Sequence, residues 1–487
     1  MAGIGCKLRR LSLEETLGGM LVGYGSAALV CAGPWLLTIL ALTEVHLLQM
    51  LSGSGRGHEL PSMFFHSVVT YCFAFSLLLT GGLQNLVTRY LADRLHQGSD
   101  AYHLPAFVGT LAVVNPLALL LGAVLFSFLN ITFFAKLVSI SLFVVLCDTW
   151  MAMIFLGVVR AYWSIVQAYA LGCVLTALVG LLTVRWTAIG ALVAFTVGQT
   201  GVFLAMVRIL TREFRLGQPG WDFEFLSYGR LYPYLFLTGT NFYLAVWSGV
   251  LFYWVTPESD NAMGLRSYAL HDISYFWGLL TTIPAMTLFF VRIETEFYEA
   301  YRAFYRGILE ARARYVDLVQ RRSEMWVVLT QGAADLLRQQ GVFTLILLFC
   351  IPYIVSNLAL SGVWIAALRV GLVGALALCF CQFALMILYY YELYREAFIT
   401  TLLLLVGNLT TDLVTLSWGS EFHGLGLTVG SCLGLTYSVK MLSVRIRSLE
   451  YYTFMFQPMP GTIVCQDPQE AFGKTVRSNG QWLVPVE

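Results

Sequence analysis

Charge is the first thing this chain lacks. Only 12% of its 487 residues are Asp, Glu, Lys or Arg, against roughly a quarter in soluble domains. Hydrophobic residues make up 58% of the chain and mean hydropathy is +0.74. These values exclude a soluble globular domain and a disordered chain. Metal-ligand and disulfide patterns are missing as well. Of the ten cysteines, Cys31, Cys72, Cys147, Cys173, Cys350, Cys379, Cys381 and Cys432 fall inside apolar runs, and Cys6 and Cys465 lie in the two tails. None has a histidine at ligand spacing, and Cys379-x-Cys381 on a helix points its thiols to different faces. Such cysteines behave as small buried hydrophobes, so no metal and no cofactor is expected.

What is present is a series of apolar runs of bilayer-spanning length, about 20 residues each. Twelve can be read, at about 18–42, 64–83, 105–129, 136–159, 164–184, 189–208, 232–254, 271–291, 342–360, 363–390, 397–416 and 421–440. The sequence predicts an all-α polytopic membrane protein with twelve transmembrane helices. The first run is too long for a signal-peptide core, and Gly33-Pro34-Trp35 is no cleavage site.

Basic residues orient the spans, because short cytoplasmic loops accumulate Lys and Arg. With the N-terminus cytoplasmic, that side receives 24 of the 29 basic residues, and only Arg56, Lys136, Arg185 and Arg266 fall opposite, with Arg369 inside a span. Both termini are therefore expected on the cytoplasmic side. Residues 209–231, with Gly217-Gln218-Pro219-Gly220, read as a cytoplasmic linker between six-helix bundles at 1–208 and 232–441. A tail follows at 442–487. Six spans per half give both halves the same orientation, as in a parallel repeat, although no residue-level repeat is visible.

Charges inside spans are costly and usually face a bundle interior or a wet cavity. Asp148 in the fourth span, Arg369 in the tenth and Asp412 in the eleventh are the candidates for a pathway or a buried charge. Asp272, at the start of the eighth span, has a second reading as a helix cap. At about 1.5 Å per residue, Arg369 lies about 9–12 Å and Asp412 about 6–8 Å from the outer ends of adjacent spans, so the two are predicted to meet. Asp148 is either a lone cavity-facing acid or a partner in an interhelical hydrogen bond. Trp247, Tyr253 and Trp254 offer sugar-stacking faces or form part of an interfacial belt.

Between the eighth and ninth spans the chain leaves the membrane over 292–340. Ile293, Phe297, Tyr301, Phe304, Ile308, Tyr315 and Val319 recur at helical spacing, which predicts an amphipathic helix continuing from the eighth span. Its aromatic stripe suits a docking surface for a cytoplasmic partner, with Arg292, Glu294, Glu296, Phe297, Tyr301, Phe304 and Tyr305 as its residues. The alternative is a helix lying on the bilayer or packing on its own protein. An enzyme acting on lipid-linked sugars needs acids in an outward loop, often paired. Here Glu44 and Glu59 are well apart, and no phosphate loop, Ser-His-Asp group or metal cluster appears. A transporter is expected rather than an enzyme, with a non-transporting scaffold as the alternative.

Several segments are similar to one family. They are Met1-Ala2-Gly3-Ile4-Gly5, Gly33-Pro34-Trp35, Gly81-Gly82 and Thr88-Arg89-Tyr90-Leu91-Ala92-Asp93. Further along come Ile283-Pro284-Ala285-Met286, then Val291-Arg292-Ile293-Glu294-Thr295-Glu296-Phe297, and finally Leu449-Glu450-Tyr451. Together they resemble the PelG family of inner-membrane transporters of Pel exopolysaccharide, in the polysaccharide branch of the MOP flippase superfamily. The resemblance implies a MATE-like pair of six-helix bundles around a central cavity. It implies export of an N-acetylgalactosamine-rich polymer from cytoplasm to periplasm as part of a synthase-dependent biofilm secretion complex. The partners it implies are a cytosolic Pel glycosyltransferase, a cyclic-di-GMP-binding Pel membrane receptor and a repeat-containing Pel membrane scaffold, and no nucleic acid. A lipid-linked oligosaccharide flippase is the neighbouring alternative. The chain departs from the family pattern at Ser248-Gly249-Val250, where an acid–base pair is expected, and at Cys6-Lys7.

Overall fold

Within a bilayer only hydrogen bonding inside a segment satisfies every backbone N–H and C=O, so apolar runs of this length fold as helices. The computed structural model describes residues 17–51, 59–97, 102–159, 161–183, 187–214, 220–309 and 313–455. Its N-terminal half contains α1 (Leu17–Leu51), α2 (Glu59–His96), α3 (His103–Ser127), α4 (Phe133–Val158), α5 (Tyr162–Thr183) and α6 (Thr187–Glu213). The C-terminal half contains α7 (Pro233–Trp254), α8 (Ala269–Leu280), α9 (Ile283–Arg292), α10 (Tyr298–Leu309), α11 (Tyr315–Asn357), α12 (Val363–Tyr390), α13 (Tyr394–Thr415), α14 (Leu425–Arg447) and α15 (Leu449–Met455). Twelve helical segments are long and apolar enough to cross a membrane, with α8 and α9 together forming the eighth.

The duplication invisible in the residues is visible in the packing. In the first half, spans 1 and 5, 2 and 4, 3 and 4, 4 and 6, and 5 and 6 lie together. In the second half the pairs are spans 7 and 11, 8 and 10, 9 and 10, 10 and 12, and 11 and 12, the same pattern shifted by six. The halves meet where span 2 (α2) lies on span 7 (α7) and span 1 (α1) on α9 of span 8, a reciprocal pair of contacts. Helical symmetry of packing survives sequence drift because many apolar residues fill the same volume.

Two features lie outside a bundle of plain helices. Between α7 and α8 the chain forms a β-hairpin, Asp260–Ala262 paired with Leu265–Ser267. Its two-residue turn, Met263-Gly264, has φ of 54° and 102°, the left-handed pair that matches strand twist, and Asn261 Oδ1 accepts from Gly264 N at 2.8 Å. The bundle end that carries this hairpin is called the hairpin face, and the opposite end, with residues 220–232, the linker face. Span 8 is broken between Leu280 and Ile283, ahead of Pro284 in the first turn of α9. The freed Thr281 carbonyl accepts from Gln340 Nε2 on α11 at 2.9 Å, as a backbone break at membrane depth requires.

Candidate functional site

The seam between the halves collects most of the segments singled out above. Where α2 crosses α7, glycines permit backbone approach: a Cβ on Gly82 would lie 2.5 Å from Thr240 Oγ1 and 2.7 Å from the Phe236 ring. One on Gly239 would lie 3.0 Å from the Gly81 carbonyl carbon. Toward the linker face, Asn85 Nδ2 donates to Leu235 O and to Tyr389 Oη, each at 3.2 Å, and Tyr243 Oη donates to Gln84 Oε1 at 3.0 Å. At the face itself Arg89 Nη1 meets Glu392 Oε1 at 2.5 Å and Tyr394 Oη at 3.3 Å, while its Nε lies 3.3 Å from Asp93. Glu392 sits in the tight turn between α12 and α13 at φ 53°.

The linker is held against the same helix. Tyr228 Oη donates to Asp93 Oδ2 at 3.1 Å, and burial with that carboxylate beside it pushes the phenol above its ordinary range. Tyr90 bonds Asp222 and Arg94 pairs with Glu224. The Thr88–Asp93 segment thus joins α2 to both the linker and the second half. On the other side of the seam, Trp35 of α1 makes an edge contact with Phe276 of α8, 6.0 Å between centroids.

At the hairpin face Tyr71 of α2 stacks on Trp254 of α7, 4.2 Å between centroids and 8° from parallel. The Tyr71 hydroxyl donates to Arg266 O and accepts from Arg266 N, both at 3.1 Å. Leu265, 2% exposed, enters the core of the N-terminal half. The hairpin therefore straps the second half to the first.

Of the in-span charges, Asp148 and Arg369 stand apart, while Asp272 and Asp412 both lie near His271. Asp148 is buried, and with the Asn115 amide nitrogen facing it, accepts at 2.8 Å and 3.2 Å; this is an interhelical bond between α4 and α3. Asp272 Oδ2 accepts from Tyr268 N at 3.1 Å and from the Trp254 indole at 2.9 Å, so it caps α8 while holding a seam aromatic. Arg369 and Asp412 do not pair. Arg369 is exposed on α12, whereas Asp412 is fully buried and its Oδ1 accepts from Tyr253 Oη at 3.1 Å and Gly426 N at 3.0 Å. Counting residues along each helix does not fix the face a side chain presents, which is set by helix rotation. Tyr253 and Trp254 are buried rather than forming an interfacial belt.

Asp412 belongs to a polar cluster that the one-dimensional reading did not assemble. His271 and His423 both pack on the Tyr253 ring, at 4.6 and 4.7 Å between centroids. The Ser248-Gly249 departure lies against it. Ser248 Oγ accepts from Asn408 Nδ2 at 3.0 Å, and a Cβ on Gly249 would lie 3.3 Å from Asp412 Oδ2 and 3.4 Å from His271 Nε2. In the sequence His271 and His423 read as span-edge residues rather than as a buried site. Their convergence depends on how α8 and the approach to α14 fold back on α7.

The aromatic stripe after span 8 is turned inward. Instead of one continuous helix, a π-helical turn at Ile293–Phe297 leads into α10, and Tyr315 and Val319 belong to α11. Phe297 and Phe304 are 1% and 0% exposed, in a cluster with Leu388, Leu393, Ile446 and Leu449. Tyr301 Oη donates to Tyr390 O at 3.2 Å, and Tyr305 packs partly buried on the same cluster. Arg292 pairs with Glu296 at 3.0 Å and Asp335 at 2.6 Å. The stripe is thus intramolecular packing, the alternative reading; only Glu296 of the docking candidates is exposed, and the Glu294 side chain lies outside the described residues. Cys6-Lys7 and the tail beyond Met455 also lie outside them. Among the described residues no group of three metal-ligating side chains occurs.

Comparison with known proteins agrees with this geometry. The family model of PelG, described as "Putative exopolysaccharide Exporter (EPS-E)", matches residues 1–454. No curated protein matches. Among solved structures, a MATE transporter in complex with MaL6 superposes with a TM-score of 0.60 at 13% identity, covering 87% of this chain and 97% of that one. An outward-facing multidrug resistance MATE transporter of the MOP superfamily gives 0.60 at 13%, covering 87% and 96%. A MOP superfamily transporter from Pyrococcus furiosus gives 0.55 at 14%, covering 87% and 96%. At these identities the likeness concerns the fold.

Proposed function

The chain belongs to the PelG family of exopolysaccharide exporters, and from that premise we propose that it carries Pel exopolysaccharide across the bacterial inner membrane into the periplasm. The observation that carries this reading is a family match running from residue 1 to 454 of a chain with the two-half fold of MOP transporters. The linker face, with its excess of arginine, is the cytoplasmic side in this reading, following the positive-inside rule. The polymer path runs along the seam between α1 and α9 and between α2 and α7, since these are the surfaces at which two rigid halves separate. A long polymer favours a path held open during synthesis over enclosure in a closing cavity. The cytosolic glycosyltransferase, the cyclic-di-GMP receptor and the repeat-containing scaffold are the proposed partners. The exposed side of the π-helical turn and α10, with Glu296, Ala303 and Arg306 exposed, is the place for cytosolic contact.

The test is the location of polymer in a Pel-producing cell that lacks this chain but keeps the synthase and partners. Polymer trapped in the cytoplasm and released on complementation supports export. Polymer still reaching the periplasm makes the chain a scaffold and removes the transport reading. If no polymer forms, synthase activity in isolated membranes separates coupled synthesis from loss of the synthase.

A further inference from the structure

The cluster around Asp412 holds more buried polar atoms than it pairs. Asp412 Oδ2, His271 Nδ1, His423 Nε2 and Ser274 Oγ are all buried without a hydrogen-bond partner. Their residues are each at least nine-tenths buried, and burying polar groups unpaired is costly. His271, Ser274 and His423 line one small pocket with Gly371 and Gly424. The Gly249 position that would fill the space between Asp412 and His271 has no side chain. His271 Nδ1 lies 3.5 Å from Asp272 Oδ1, while its Nε2 and Asp412 Oδ2 both border the space beside Gly249.

We propose that His271, with Asp412 and Asp272 nearby, is a proton-binding site that controls the strap at the hairpin face. The route in is on the surface side. Glu258, 53% exposed, accepts from Tyr268 Oη at 3.1 Å, and that hydroxyl lies 3.2 Å from His423 Nδ1. A proton taken up at Glu258 passes by hydroxyl exchange at Tyr268 to His423 and the pocket it shares with His271, and leaves by the same route. The output is equally direct. Asp272 holds Trp254, which stacks on Tyr71, and Tyr268 N, which ends the hairpin's return strand. A proton on His271 gives Asp272 and Asp412 a cation in common and keeps this chain of contacts closed; its loss leaves both acids without that partner and loosens Asp272. The facing groups are Tyr253 from α7, His271, Asp272 and Tyr275 from α8, Glu258 and Tyr268 from the hairpin segment, Asp412 from α13 and His423 before α14. From α12 the pocket is faced by Ala367 and Gly371, and Arg369 is exposed.

The test uses spin labels at Phe128→Cys and Val255→Cys, two exposed hairpin-face positions in different halves. The full chain, stripped of its other exposed cysteines, is placed in lipid nanodiscs at about pH 5.5 and about pH 8.5, on either side of neutrality. The ratio of short- to long-distance populations should fall at least about 5-fold from acid to alkaline pH, the lower end of usual coupling strengths. His271→Gln should make the ratio independent of pH, and Asp412→Asn should do the same; if the latter does not fold, His271→Gln decides. An unchanged ratio in the parent, or an undiminished shift in His271→Gln, overturns the proposal. The readout needs no polymer, so its failure is distinct from failure of the export reading.

Discussion

Gly239→Ala is the sharpest test of the seam. The added methyl would sit 3.0 Å from the Gly81 carbonyl carbon, closer still to its oxygen, and 2.7 Å from Asn85 Nδ2. Unstrained C···O contacts begin near about 3.3 Å. Gly81 O is backbone on a packed helix, so relief requires α2 and α7 to move apart. Overpacking of this kind costs about 1–3 kcal/mol, and that cost is incurred only while the halves are closed. The closed-to-open ratio should therefore shift by about 5–150-fold toward open. A cysteine at Gln84, whose amide bonds Tyr243 across the seam, reports the open population through its rate of thiol labelling. The control is Gly341→Ala, on α11 with nothing within 4 Å of the new Cβ. A labelling rate that rises by the predicted factor in Gly239→Ala alone supports a seam held by glycine contact. Equal rates in the two variants would refute the reasoning.

Four further outcomes follow from other contacts. Glu392→Arg should raise the same labelling rate and Arg89→Glu should partly restore it, since the pair, with side chains 15% and 32% exposed, is worth about 1–2 kcal/mol between buried and surface values; absence of rescue would show the pair to be incidental. Asp148→Leu should leave the Asn115 amide unpaired and lower thermal stability by about 1–3 kcal/mol, whereas Asp148→Asn should lose less; export retained in Asp148→Asn would assign the residue to packing rather than to the polymer path. Phe304→Ala empties a fully buried site and should cost about 3–5 kcal/mol, read as earlier release of α10 to trypsin at Arg302 and Arg306. Burial pushes the Tyr305 hydroxyl up to about 12, and a neutral phenol favoured in the folded state gives stability that is full below the ordinary phenol value of about 10 and lost as pH rises toward 12. Docking of α10 should accordingly persist to about pH 10 and weaken above it, as followed by proteolysis, while weakening already at neutral pH would contradict the buried placement.

The span count and the approximate span limits were legible in one dimension. Each reports a property a segment has by itself, namely enough apolar surface to prefer lipid over water; the transporter class came instead from the missing catalytic motifs and the family resemblance. Asp272 was marked by its place in a first turn, whereas the eighth span was read as one run and its break ahead of Pro284 came from the structure. The Arg369–Asp412 pairing was not legible, because depth along a helix follows from counting residues while rotation about its axis follows from what the helix packs against. The aromatic stripe shows the same limit: periodicity identified an apolar face at Phe297, Tyr301 and Phe304, but whether α12, α15 or a separate protein covers it is a matter of tertiary contact. Asp412 with Tyr253, and Tyr71 with Arg266, are joined across 159 and 195 residues. Hydropathy acts on each segment alone and so can be read from composition, whereas these unions arise only when helices already in the membrane exclude lipid from between them, and that selection depends on shape.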